Sequence, residues 1–216
     1  NNTSLLRALK ICEKSKIDTL TIHLREDRRH INDKDLRQLK KNSQLPINME
    51  MALTDEMIKI AKKIKPNFIC LVPEKRNEIT TEGGLNIEKI SKKKIKLLLT
   101  ICNSNNIQLS VFINPRKKII EIAKSLGFHA VELHTGPLDR EKVNKLDIKK
   151  INEMINYSYK KNLIVNIGHG LNFSNIKYIK NRHKVDTVHI GHFIISEAIF
   201  LSLPKVIKIF KNLIKL

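Results

Sequence analysis

Short apolar runs alternate with longer segments of helical periodicity along the whole 216-residue chain, and this alternation constrains the fold more than any other feature. Strands that alternate with helices through short loops pair in parallel through right-handed crossovers. The sequence therefore predicts an α/β fold, either a (β/α) barrel or, as the less favoured alternative, an open doubly wound sheet. The predicted strands span residues 19–23, 47–50, 68–72, 108–113, 130–134, 163–167 and 187–190.

The polarity of the strands favours the barrel. Polar and apolar residues alternate in the first predicted strand, and its polar face carries Thr21, His23 and Arg25. Glu50 and Glu132 also occupy polar strand positions. A strand covered by helices on both faces is almost wholly apolar. One polar face therefore predicts a barrel interior that opens into a polar cavity at the carboxyl ends of the strands.

Helix signals lie between the predicted strands. Thr54 is placed to cap a helix that runs to Lys65, with two acidic residues in its first turn. Asn114-Pro115 opens another helix that Gly127 closes. Further helix signals are a cap at Ser4, a cap at Ser174 and a terminal helix over residues 204–216.

The chain opens with a helix where an eight-stranded barrel would open with a strand. The helix predicted after Ser4 is the one expected to follow a first strand, and residue 1 is Asn rather than Met. We therefore expect a (β/α)8 TIM barrel that forms a single domain over residues 1–216 and lacks its N-terminal strand. That strand would be cut from this chain or lost from the gene.

The chain is strongly basic, with 41 Lys and Arg against 21 Asp and Glu and a net charge of +20. A nucleic-acid-binding protein clusters its basic residues on one face and often adds aromatic side chains for base stacking. Here 32 of the basic residues are Lys, spread from end to end, and only 5% of residues are aromatic. We therefore interpret the charge as a solvated surface, expect no nucleic-acid partner, and keep nucleic-acid binding as a less favoured alternative.

The sequence also bears on the compartment. It has no run of 18 apolar residues, and its start lacks the apolar core of a signal peptide. Three cysteines without metal-ligand or redox spacing indicate buried thiols in a reducing compartment. We expect a cytoplasmic protein with no membrane partner.

Residues that suit acid–base chemistry gather at or just past the predicted strand ends, where barrel enzymes place their catalytic groups. They are His23, Arg25, Glu50, Thr80, Glu132, His134, His169 and His192. Histidines and carboxylates together suit proton transfers such as enolisation, imine formation and dehydration. No His and carboxylate pair lies i, i+4 apart on a predicted helix, as a helix-borne metal site requires, so we expect no metal. The alternatives are purely structural roles: a hydrogen-bonded interior histidine at His23, a salt-bridged loop over 25–29 and a structural ion pair at Glu132.

Anion binding is predicted at two places around this site. The glycines beside His169 and His192 end the last two strands, where barrels commonly bind phosphate through backbone N–H groups. Arg25 and His30 lie across the predicted mouth and suit a second anion. The sequence therefore predicts phosphorylated small-molecule substrates.

Seven segments closely resemble the pyridoxine 5′-phosphate synthase family, in the family's order and over essentially the whole chain. The segments are 21–31, 48–52, 70–76, 80–85, 132–136, 166–171 and 190–192. The resemblance implies a (β/α)8 barrel that condenses 3-amino-2-oxopropyl phosphate with 1-deoxy-D-xylulose 5-phosphate in vitamin B6 biosynthesis. The implied products are pyridoxine 5′-phosphate, phosphate and water, formed without a metal or organic cofactor by a homo-octamer.

The resemblance also implies roles for individual residues. His23 and Glu50 match the family's proton acceptors, His169 its proton donor and Glu132 its transition-state stabiliser. The residues that match deoxyxylulose phosphate contacts are Arg25, His30 and Thr80. The residues that match aminooxopropyl phosphate contacts are Gly170, Gly191 and His192.

The chain departs from the family pattern in one segment and at two single positions. The family's first strand carries an Asn-x-Asp-His segment followed by an Arg, and the chain has no match to it. His189 stands where the family has Asn, and Phe193 where a small residue is usual. These departures leave a catalytically silent, truncated barrel as an alternative to the active enzyme.

Overall fold

A parallel sheet organises the molecule. The computed structural model describes residues 4–74 and 83–214, and these contain seven strands in the order β1-β2-β3-β4-β5-β6-β7. Each neighbouring pair is parallel. The strands are β1 (Leu20–His23), β2 (Ile47–Met51), β3 (Phe68–Leu71), β4 (Gln108–Ile113), β5 (Ala130–His134), β6 (Ile164–Gly168) and β7 (Thr187–His189). The sheet curves into a nearly closed barrel, which confirms the predicted fold class.

Eight α-helices within the described residues accompany the strands. They are α1 (Leu5–Lys14), α2 (Asp33–Asn42), α3 (Asp55–Ile64), α4 (Lys92–Ser104), α5 (Lys117–Ser125), α6 (Lys145–Lys160), α7 (His192–Leu201) and α8 (Leu203–Ile214). No helix in the described part of the chain is long and apolar enough to span a membrane.

The predicted helix caps have mixed outcomes. Ser4 and Thr54 accept hydrogen bonds from the backbone N–H groups of the first turns of α1 and α3, as predicted. The helix expected at Asn114-Pro115 begins later, at Lys117. The cap predicted at Ser174 is wrong, because the Asn172 side chain accepts the N–H groups of Ser174 and Asn175 instead.

The two faces of the sheet differ in polarity. Outward-facing strand residues such as Met49, Ile69 and Val131 join the main hydrophobic core between sheet and helices. The buried polar residues of the strands, Asn48, Ser110, Glu132 and Asn166, occupy the other alternating positions. The structure thus confirms a barrel whose interior is polar, and it places the hydrophobic stabilisation outside the sheet.

The two edge strands, β1 and β7, approach each other through side chains. Thr21 Oγ1 of β1 lies 3.0 Å from His189 Nδ1 of β7. Outside the sheet, Lys211 Nζ of α8 donates a hydrogen bond to the Lys16 carbonyl that follows α1. These contacts bring the last and first elements together around one interior cavity.

Candidate active site

A cavity of about 1410 Å³ includes the barrel interior and the carboxyl ends of the strands, and it extends between β1 and β7 to helices α1 and α8. Nine of the ten predicted site residues line it, and the tenth, Thr80, lies outside the described residues. The nine are His23, Arg25, His30, Glu50, Glu132, His169, Gly170, Gly191 and His192. Parallel strands direct residues from distant parts of the chain to one end of the barrel, which accounts for this convergence.

His23 lies between two carboxylates. It is the last residue of β1 and pairs in register with Glu50 of β2, so both side chains point into the barrel. His23 Nδ1 lies 3.6 Å from Glu50 Oε2, and Nε2 lies 3.0 Å from Glu74 Oε1. Burial, reinforced by the charge of Glu132, raises the pKa of Glu50. A carboxyl group that binds a proton more readily than usual is suited to proton transfer near neutral pH.

Glu132 lies deeper in the cavity, with only 5% of its side chain exposed. Burial raises its pKa to about 7, and a hydrogen bond from Cys70 Sγ at 3.6 Å opposes the shift. His189 Nε2 lies 3.8 Å from Glu132 Oε2. A Cβ atom at Gly168 would lie 2.1 Å from Glu132 Oε1, so glycine is required there to leave room for the carboxylate.

Glu132 and the edge strands are connected by a chain of polar contacts. Asn48 Nδ2 donates to Thr21 Oγ1 at 3.3 Å, and Thr21 Oγ1 lies 3.0 Å from His189 Nδ1. The Thr21 hydroxyl can both donate and accept, so it can bind His189 Nδ1 in either tautomer of the ring. The other ring nitrogen, Nε2, faces Glu132.

His169 follows β6 in a left-handed backbone conformation, with φ of 73°, and Gly170 repeats it with φ of 73°. Such a conformation is unfavourable for a residue with a side chain, so the surrounding structure must stabilise it. Thr135 stabilises the turn, since its Oγ1 lies 2.7 Å from the carbonyl oxygens of both Gly168 and His169. The His169 ring is thereby presented to the cavity.

His134 supports the His169 ring from one side. The two ring centroids are 5.0 Å apart, and Phe112 packs edge-on against His134 at 5.3 Å. Burial, together with the charge of His169, lowers the pKa of His134 to about 4. His134 is therefore neutral at neutral pH and adds no positive charge beside His169.

The charged run 25–29 divides into a buried part and a surface part. Arg28 pairs with Asp33 at 2.8 Å, and Arg29 pairs with Asp27 at the surface, as the salt-bridged-loop alternative predicts. Arg25 differs, because it is 2% exposed and lines the cavity, with Nε 3.7 Å from Asp27. His30 is exposed at the cavity mouth. Of the charged residues described here, Arg25 and His30 remain candidates for anion binding.

Gly191 and His192 begin helix α7. Gly191 is the N-cap, and a Cβ atom at this position would meet no atom within 4 Å. Gly191 and His192 line the cavity, and the free backbone N–H groups of a helix N-terminus suit a phosphate group. His192 is exposed at the same end of the helix.

Two site residues were missed by the sequence analysis as functional candidates. Glu74 belongs to segment 70–76, which resembles the family, and His189 is a position at which the chain differs from the family. Both lie at carboxyl ends of strands, since Glu74 follows β3 and His189 ends β7. Their position at or just past the ends of predicted strands is the sequence signal that could have identified them as site residues.

No group of three or more His, Cys, Asp or Glu side chains within residues 4–74 and 83–214 is arranged to bind a metal ion.

Comparison with known proteins identifies the family. A family model described as "Pyridoxal phosphate biosynthesis protein PdxJ" matches residues 1–216. The chain belongs to the PdxJ family. One PdxJ-family relative, a pyridoxine 5′-phosphate synthase of Pelagibacter ubique, is 45% identical over 202 residues, which cover 90% of this chain and 83% of the relative. Another, from Prochlorococcus marinus, is 41% identical over 206 residues, which cover 94% of this chain and 86% of the relative.

Solved structures support the barrel fold of this PdxJ-family chain. A phosphoribosylanthranilate isomerase of Thermotoga maritima superimposes with a TM-score of 0.64 and 14% identity, covering 97% of this chain and 93% of the other. At this identity the likeness concerns the fold alone. The predicted family and the predicted enzyme of vitamin B6 biosynthesis are confirmed by family membership.

Proposed function

We propose that the chain is a pyridoxine 5′-phosphate synthase that condenses 3-amino-2-oxopropyl phosphate with 1-deoxy-D-xylulose 5-phosphate. Its products are pyridoxine 5′-phosphate, inorganic phosphate and water, and the reaction uses no metal or organic cofactor. The observation that carries the proposal is the convergence, in one cavity, of carboxylates and histidines with two places suited to phosphate. Family membership supports the activity and its place in vitamin B6 biosynthesis.

The condensation needs several proton transfers. The substrate amine and ketone form an imine, and proton removals and losses of water then lead to the aromatic ring. We assign the proton-accepting roles to His23 and Glu50, which are adjacent in the barrel with a 3.6 Å separation. The raised pKa of Glu50 supports this role, because a base is most effective when its pKa lies near the working pH.

Residues of β5 and of the turn after β6 protonate the leaving oxygen and stabilise the developing charge. We assign proton donation to His169, which its strained turn presents to the cavity. We assign transition-state stabilisation to Glu132, because its buried carboxylate attracts positive charge that develops on the substrate nitrogen.

The two phosphates bind at two separate places around the mouth. Arg25 and His30, with Thr80, bind deoxyxylulose phosphate, and the burial of Arg25 supports a specific anion contact. Gly170, Gly191 and His192 bind aminooxopropyl phosphate at the N-terminus of α7. The substrates are thereby oriented with their reacting carbons between the acid and the bases.

The proposal also covers the domain organisation, the oligomeric state and the partners of the protein. We propose a single (β/α) barrel domain over residues 1–216. We also propose a cytoplasmic homo-octamer without nucleic-acid or membrane partners. The exposed apolar side chains of α7, Ile195, Ile199 and Phe200 at 62%, 79% and 80% exposure, support contacts between copies of the chain.

The direct test is product formation by the protein expressed from its complete reading frame. Supplied with the two phosphates, it should release pyridoxine 5′-phosphate and inorganic phosphate in equal amounts, measured by chromatography and a phosphate assay. Glu50→Gln should lower kcat by about 10²-fold or more, since general acid–base catalysis contributes that much.

Glu153→Gln is the matched control, because Glu153 is an exposed carboxylate paired only weakly with Lys149, at 3.9 Å. The control should retain wild-type kcat. Wild-type protein that binds both substrates without forming product would contradict the proposal and favour the catalytically silent barrel.

A further inference from the structure

Glu74 has a fixed and largely buried carboxylate at the edge of the proposed catalytic cluster. It lies just after β3, and 6% of its side chain is exposed. One oxygen, Oε1, lies 3.0 Å from His23 Nε2, and the other accepts the backbone N–H of Glu26 at 3.0 Å. Because both oxygens are engaged, the carboxylate has one orientation relative to the His23 ring.

The surroundings of Glu74 keep it ionised. Burial alone raises the pKa of a carboxyl group, but hydrogen bonds from His23 and from the Glu26 N–H outweigh it, with help from the charge of Arg25. The pKa of Glu74 consequently lies below its ordinary value. An ionised carboxylate can only accept hydrogen bonds. The short contact therefore requires a proton on His23 Nε2.

A proton on Nε2 settles the state of the other ring nitrogen. In the neutral imidazole, one nitrogen carries the proton and the other has the free lone pair. With Nε2 bound to Glu74, the lone pair of His23 is on Nδ1, which faces Glu50 at 3.6 Å inside the cavity. A carboxylate that fixes the tautomer of a basic histidine has the same physical role as the aspartate of a serine protease triad.

We propose that Glu74 is a positioning residue that fixes His23 as the Nε2–H tautomer, so that Nδ1 is the nitrogen that accepts a proton from the substrate. This inference rests on the proposed role of His23 as a proton acceptor. Glu74 touches neither substrate nor reacting atoms in this arrangement, and it acts through His23. Its contact with the Glu26 N–H also ties the segment after β1 to the end of β3, which keeps the two partners in register.

The test combines kinetics with a direct view of the ring. Glu74→Gln preserves the size of the side chain but removes its charge, and its amide can donate as well as accept. We expect kcat to fall about 10- to 100-fold, less than the roughly 10⁴-fold cost of the corresponding change in a serine protease triad. KM for both substrates should stay within about twofold, since substrate contacts are retained.

Solid-state ¹⁵N NMR of histidine-labelled protein reports the tautomer independently of activity and of assembly size. The His23 signals are assigned by their loss in His23→Asn. At a pH where the ring is neutral, wild-type His23 should carry its proton on Nε2, and Glu74→Gln should show a mixture or the Nδ1–H form. Glu88→Gln is the control, because it removes a carboxylate paired with Lys118 at the surface, and it should change neither readout.

Three results would overturn the proposal: an Nδ1–H tautomer in the wild type, an unchanged tautomer in Glu74→Gln, or a kcat for Glu74→Gln equal to that of Glu88→Gln. If Glu74→Gln does not fold, the wild-type spectrum still decides the tautomer. A wild-type protein that forms no product would remove the proposed function, whereas the spectra would still show whether Glu74 controls His23.

Discussion

Two histidine–carboxylate pairs face the same cavity from opposite sides, and they differ in how the histidine is held. On the β1 and β2 side, His23 Nδ1 lies 3.6 Å from Glu50, and Glu74 binds its other nitrogen. On the β5 and β7 side, His189 Nε2 lies 3.8 Å from Glu132, and the neutral hydroxyl of Thr21 binds its other nitrogen.

The second partner determines what each ring can do. A carboxylate behind His23 takes the N–H of the ring, so the lone pair points into the cavity and can accept a proton. The hydroxyl behind His189 both donates and accepts, so it leaves both tautomers of that ring open. Burial lowers the pKa of His189, and the charges of Glu50 and Asp186 only partly offset it. The two pairs therefore differ in the second partner: a carboxylate that only accepts stands behind His23, and a hydroxyl that does either stands behind His189.

Removing the basic histidine should have the largest effect. We expect His23→Asn to lower kcat by about 10²- to 10⁴-fold, the range for loss of a general base. Steady-state kinetics with His183→Asn as the control measures this, because His183 is exposed. Activity of His23→Asn within tenfold of the control would show that His23 is not the base.

The pH dependence of stability should reveal the burial of Glu132. Its pKa is about 7 in the folded protein and near 4.5 in the unfolded chain, so the folded state binds the proton more tightly. Its contribution to the free energy of unfolding is favourable below pH 4.5 and decreases as the pH rises to 7, by roughly 3 kcal/mol. His134, with a folded pKa of about 4, contributes the opposite slope below its ordinary value of 6.5.

Comparison of the wild type with Glu132→Gln separates these contributions, since the variant keeps His134. Urea denaturation between pH 5 and pH 8 should show the wild type losing stability relative to the variant as the pH rises. A difference that stays constant over this range would mean that Glu132 has an ordinary pKa.

The histidine of the second pair should matter least. Asn at position 189 can still accept the Thr21 hydroxyl proton and donate toward Glu132, so His189→Asn should change kcat by no more than about threefold, under ~1 kcal/mol. The same kinetic assay measures it. A loss as large as that of His23→Asn would show that His189 transfers a proton, and the contrast between the two pairs would fall.

The strands and the main site residues could be predicted because they depend on local pattern. The short apolar runs over residues 108–113 and 130–134 matched β4 and β5 in full. Parallel pairing then implied that His23, Glu50 and His169 meet at one end of the barrel. The start of α5 was less predictable, because Pro115 suits either a first helical turn or the loop before it.

The sequence by itself determined the alternating architecture, the polar interior, the family and nine of the residues that line the cavity. The tertiary structure decided which partner each of those residues has. Glu74 is 51 residues from His23, and Glu132 is 57 residues from His189, so no local pattern links them. Hydrogen-bond partners, tautomers and pKa values depend on groups within a few ångströms, and only the packing of the seven strands around one cavity brings those groups together.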